Sequence, residues 1–284
     1  MELQITPPML VKVGIFFLTA GLAIYGIRVG SNRRSNRSEL TAFVALMLTI
    51  AFWELLGILI DTATTAEAKL LVTNVNNSVA APLYLFAIIW FGLAYTSNDR
   101  WVYPWLVTVT AASIGLMSVV LALYPEFLYE SNGLVTRGPV QFLTVTFEPW
   151  VGLDRTLKDS FRAYQLYSYL GLLFVLGLIV RYLLDNRDQL QIGQIFSLIA
   201  GISVPLAGNM LLFFGLVPPD MNPTDLAFGV LALCFAVAIF RYRLFDIAPL
   251  GRQQAIETMT DPIVIIDDDD RTAKNVDGSS LPET

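Results

Sequence analysis

"AFWELLGILIDTATTAEAKLLVTNVNNSVAAPLYLFAIIWFGLAYT", residues 51–96, joins two apolar blocks through a short polar link. The first block completes a run from about residue 40 to 60, and the second runs from about 72 to 95. A helix needs about 20 apolar residues to cross a bilayer core, and each block meets that length. Working outward, further blocks lie at about 10–29, 102–123, 163–184, 193–215 and 226–244, making seven. Hydrophobic residues make up 55% of the 284, and charged residues only 15%, against about 25% charged in soluble domains. The expected fold is all-α: a multi-pass seven-transmembrane helix bundle in the cell membrane. The first block has neither a basic leader nor a small-residue cleavage site, so it reads as a retained span.

Arginine placement orients the bundle. Arg28, Arg33, Arg34, Arg37, Arg100, Arg181, Arg187, Arg241, Arg243 and Arg252 all fall on one side if the blocks alternate. On the other side the short connectors hold only Lys69, with Lys12 near the end of the first span. The positive-inside rule then puts the N-terminus outside and the C-terminus in the cytoplasm. The long connector 124–162 lies outside; "YPEFLYESNGLVTRGPVQFLTVTFEPW" alternates around "RGP", predicting a hairpin over 128–150 that covers the outer mouth. Its five acidic and four basic residues are mixed, with no signature of a nucleic-acid partner.

Absent chemistry narrows the function. There is no histidine, so a His-ligated haem, a His-based triad and a phospho-accepting histidine are excluded from this chain. The four lysines are Lys12, Lys69, Lys158 and Lys274, so the seventh span carries none and a retinal Schiff base there is impossible. Neither a P-loop, nor G-x-S-x-G, nor H-E-x-x-H occurs. No cofactor, metal or catalytic residue is expected. The lone Cys234 reports nothing about redox compartment. An acidic chain with 15 Asp, 14 Arg and only 4 Lys suits a halophilic source.

Polar residues within the blocks mark candidate sites. Glu54, Asn77 and Asn209 each lie about 8–10 Å below the outer end of a different span. Two readings stand: interhelical hydrogen bonding between spans, or a polar cavity for a small ligand or ion. Pro205 reads as a kink, Trp53 and Trp90 as packing residues, and Trp101 and Trp105 as interfacial anchors. A transporter or channel using Glu54 as its coupling carboxylate is the alternative function. The lack of a duplicated half weighs against it.

The C-terminal stretch "RYRLFDIAPLGRQQAIETMTDPIVIIDDDDR" (241–271) leaves the last span as a connector. Pro249 predicts a kink, and Ile256 and Met259 form a narrow seam on a linker helix over 245–260. An apolar strand at 263–266 then leads into an acidic turn. Alone it lacks sheet partners and is expected to be poorly ordered.

Together with "GQIFSLIAGISVPLAGNMLLFFGLVPPDMNPTDLAFGV" (193–230) and residues 51–96, this stretch resembles the N-terminal seven-transmembrane sensor region of membrane histidine kinases of the haloarchaeal type. The resemblance spans roughly residues 10–275. It implies a sensor over 10–244 after an extracellular segment 1–9, with the 245–260 helix signalling to a PAS domain that starts at 261–276. It also implies a kinase beyond, a homodimer and a cytoplasmic response regulator, in contact with membrane lipids. The final "LPET" looks like a sortase signal without its glycine, so 277–284 is set aside as an appended tail.

Overall fold

A computed structural model of the chain describes residues 4–32, 37–96, 105–142, 145–186, 192–216, 223–242, 264–265 and 274–275. Pro249, Ile256 and Met259, with the expected linker helix, lie outside the described residues. The chain divides into a unit over 1–243 and a second over 244–284.

The first unit contains α1 (Pro7–Asn32), α2 (Arg37–Thr62), α3 (Ala66–Val75), a π-helical turn (Asn76–Ala80) and α4 (Ala81–Tyr95). After α5 (Trp105–Leu123) come β1 (Tyr129–Arg137), β2 (Val140–Phe142), β3 (Val145–Phe147) and β4 (Trp150–Leu157). Helices α6 (Asp159–Asp185), α7 (Ile192–Phe213) and α8 (Pro223–Phe240) complete it. Among the described residues, seven helices are long and apolar enough to cross a membrane; α3, the π turn and α4 together form the third, Ala66–Tyr95. That span starts six residues before the apolar pattern does, because Thr65 caps it: its side chain accepts from the Ala68 N–H at 3.3 Å. The π turn follows from Pro82, which lacks an N–H for the ordinary helical bond. The ladder slips by one residue, and the Ala81 N–H reaches the Asn76 carbonyl instead.

Packing neighbours run α1–α2, α2–α4, α4–α6, α6–α7, α7–α8 and back from α8 to α1, so six spans close a ring. The fourth span, α5, stands at the periphery: 17% of it is buried, against 67% of the third. Inside the ring, Phe91 meets Phe235 edge-on at 5.1 Å and Tyr84 meets Phe228 at 4.8 Å. These contacts join α4 to α8. In a bilayer such van der Waals packing drives helix association, since lipid tails are as apolar as the core. Gly201 and Gly208, two turns apart on α7, sit against Cys234 and Ala227 of α8. A Cβ on either glycine would come within 3.3 Å of those side chains.

The long connector between α5 and α6 is a hairpin, as the alternation predicts, but its outer pair extends further, with β1 antiparallel to β4 from Tyr129↔Leu157 to Arg137↔Trp150. Strands β2 and β3 pair inside it. The register slips between Ser131 and Gly133, where Gly133 takes φ +96°, a bulge open to glycine. Leu128 and Tyr129 pack with Leu121, Phe161 and Leu212, seating the hairpin base on α5, α6 and α7.

In the second unit, β5 (Val264–Ile265) pairs antiparallel with β6 (Lys274–Asn275). The strand expected at 263–266 thus has a partner within the chain, contrary to the expectation that it lacks one.

Candidate functional site

The strongest polar constellation sits at the hairpin end of the ring. Lys12 lies in the second turn of α1, Asp61 in the last turn of α2 and Asp225 in the first turn of α8. Lys12 Nζ lies 2.8 Å from Asp61 Oδ2 and 3.1 Å from Asp225 Oδ2, so one ammonium ties three spans together. All three side chains are less than one-fifth exposed. Gly57 makes room for this lysine: a Cβ there would lie 3.1 Å from Lys12 Cδ. Asp225 also accepts from the Trp53 indole N–H at 3.2 Å and profits from the positive end of its own helix. Lys69 donates to the Ile60 carbonyl at 2.7 Å, beside Asp61.

Glu54 lies two turns below Asp61 on α2 and is fully buried. Among the described residues neither of its carboxylate oxygens has a hydrogen-bond partner. Its charged surroundings are Asp225, Lys12 and Asp61. The carboxylate therefore belongs to the ion-pair cluster and makes no hydrogen bond to Asn77 or Asn209.

The two asparagines are held from α6. The Tyr164 hydroxyl donates to the Asn77 carbonyl at 2.7 Å, and the Asn77 side-chain oxygen accepts from Tyr129 at the hairpin base at 3.3 Å. Tyr169 donates to the Asn209 carbonyl at 2.8 Å, while Asn209 Oδ1 accepts from Thr224 at 3.0 Å and from Gln165 at 3.5 Å. Thr224 precedes Asp225, so Asn209 meets the ion-pair cluster through the first turn of α8. The Asn209 amide N–H₂ donates to the Pro205 carbonyl at 3.1 Å, within the helix that the proline interrupts. Outside the membrane spans, burial pushes the Tyr129 phenol up from its usual pKa, with the Arg155 guanidinium 4.6 Å above the ring pulling the other way.

Gln4 ties this belt to the hairpin. Its side-chain N–H₂ donates to the carbonyls of Asp61 at 2.8 Å, Ala63 at 3.2 Å and Val151 at 2.8 Å. Its side-chain oxygen accepts from the Val151 N–H at 2.9 Å. One residue before the first span thus joins β4 to the end of α2.

The reading of residues in isolation misses Gln4, Lys12 and Asp225 as site residues. The available signal was charge at corresponding depth: Lys12 lies near the start of α1, and Asp225 two residues after Pro223. Trp53 and Trp90 pack as expected, Trp53 against Phe228 and Tyr84, Trp90 against Phe86. Trp105 is half exposed at the start of α5, in keeping with an interfacial anchor.

Comparison with curated proteins gives no match. The family described as the N-terminal 7TM region of histidine kinase matches residues 12–249, which takes in the first span from Lys12 onward and the other six spans whole. The chain belongs to this family, a multi-pass membrane region that forms the sensor part of histidine kinases rather than their catalytic part.

Proposed function

We propose that this chain is the input module of a membrane histidine kinase, reading a stimulus at the hairpin end and relaying it through the seventh span to a cytoplasmic output domain. The observation that carries this reading is the double ion pair of Lys12, which couples α8 directly to α1 and α2. Gln4 extends the same contact to the hairpin. A change in hairpin position or belt occupancy then biases α8 between two seatings, the differential contact that a two-state sensor requires. Glu54, Asn77 and Asn209 are the side chains placed to read a small ligand or ion. The arginine asymmetry supports an outside N-terminus, with output from the cytoplasmic connector around Pro249, Ile256 and Met259. The parent kinase acts as a homodimer that phosphorylates a response regulator.

The test is register. With a kinase output attached, residues are inserted one at a time after Gly251, each turning a continuous helix by about 100°. Autophosphorylation is expected to alternate between high and low with the register, and Asp225→Asn is expected to shift the basal level. Output indifferent to every insertion would make the connector a tether only.

A further inference from the structure

We propose that Glu54 binds one exchangeable monovalent cation, a proton or an alkali-metal ion, against the Lys12–Asp61–Asp225 cluster. Among the described residues the cluster holds three carboxylates, Glu54, Asp61 and Asp225, and two ammonium groups, Lys12 and Lys69, leaving one negative charge in excess. Donors are spent elsewhere: Lys12 on the two aspartates, Lys69 on the Ile60 carbonyl, and the Trp53 indole on Asp225. Both Glu54 oxygens are left fully buried and, among the described residues, without a hydrogen-bond partner, with Asp225, Lys12 and Asp61 as the charged neighbours. A bare charge in such surroundings is strongly disfavoured, and one positive charge on Glu54 closes the balance.

The neighbours on every packed element agree with a single site. Lys12 faces Glu54 from α1, Asp225 from α8 and Asp61 from α2 itself, while Lys69 of α3 lies beside Asp61. Tyr84 of α4 packs on Trp53, and its buried hydroxyl also lacks a partner. The site takes a charge of one because Lys12 opposes a divalent ion, and the excess is a single negative charge. Glu54 sits about 12 Å from the end of α2, and Asp61, two turns nearer that end, is 18% exposed at its side chain. Release of the cation leaves Glu54 charged beside Asp225 and favours a shift of Lys12 towards α2, which loosens α8.

The proposal deepens the sensory reading, resting on it only for its purpose. Binding is measured on this chain without any kinase, so the two fail separately. The melting temperature of the full chain in lipid nanodiscs is followed from about pH 5 to about pH 9 at fixed ionic strength. At each pH, NaCl or KCl replaces choline chloride. A bound cation stabilises the native state, so a proton site lowers the melting temperature by about 5 °C as pH rises. An alkali-ion site instead raises it with Na⁺ or K⁺ at constant pH. Either dependence should vanish in Glu54→Gln and survive in Glu54→Asp. As a second measurement needing no variant, dicyclohexylcarbodiimide, which attacks protonated carboxyls in apolar sites, is applied to the wild-type chain and mapped by mass spectrometry. Modification of Glu54 that falls with pH identifies a proton, and protection by Na⁺ or K⁺ identifies an alkali ion. Superposable titrations of the wild type and Glu54→Gln, or Glu54 labelling indifferent to both pH and cations, would overturn the proposal.

Discussion

Lys12 shows how much one side chain can decide in a bilayer. Its ammonium is the shared partner of two carboxylates on different helices, and removing it strands both in low dielectric. Lys12→Met is therefore expected to cost about 3–5 kcal/mol, read as a lower melting temperature in nanodiscs. Adding Asp225→Asn should recover part of that loss, because one stranded charge is gone. A double mutant that melts lower than the sum of the single changes would contradict this pairing. Tyr129 is the counterpart at the hairpin base. Its folded pKa lies above its ordinary value, so the stability it confers is complete below about pH 10. That contribution disappears as pH climbs through the raised value. Tyr129→Phe should flatten this alkaline loss and cost about 0.5–1.5 kcal/mol at neutral pH for the missing bond to Asn77. Amide exchange along 129–137 would report both effects.

Elements set the spacing within which those residues meet. The third span contributes most to the interior, and its π turn re-aims Asn77 toward Tyr129 and Tyr164. One turn from its C-terminal end, Gly92 lets α4 approach α6: a Cβ there would lie 2.8 Å from Val175 Cγ1. Val175 is fully buried and stiff at χ1, so it has little room to yield. Gly92→Ala should destabilise by about 1–3 kcal/mol through overpacking. The compensating Val175→Ala should restore most of the melting temperature. The hairpin shows a different dependence. Its alternation is visible in the residues, yet its length is set by the pairing of β1 with 150–157, where the sequence signal had already weakened.

At the scale of the whole molecule, the ring of six spans with α5 outside presents a polar belt at one end and arginine-bearing connectors at the other. That asymmetry predicts an outside N-terminus. In a Cys234→Ser background, Arg34→Cys in right-side-out vesicles should resist a membrane-impermeant maleimide until the bilayer is permeabilised. Gln141→Cys in the hairpin should react at once. The reverse pattern would invert the bundle.

The seven spans, the hairpin and the family were legible in the residues, because bilayer crossing imposes about 20 apolar positions and turn chemistry marks their ends. Helical periodicity tells which residues share a face, but not which helix that face will meet. Glu54 stood out by its charge, yet its surroundings are Lys12 and Asp225, 42 residues before it and 171 after it in the chain. The asparagines read as its companions bond instead to Tyr129, Tyr164 and Tyr169 and to Thr224, next to Asp225. Only the closing of α8 onto α1 brought those distant charges together, and only burial left Glu54 without a partner. Hydrophobic patterning is local in the chain, whereas charge compensation in hydrocarbon is settled between helices after they pack.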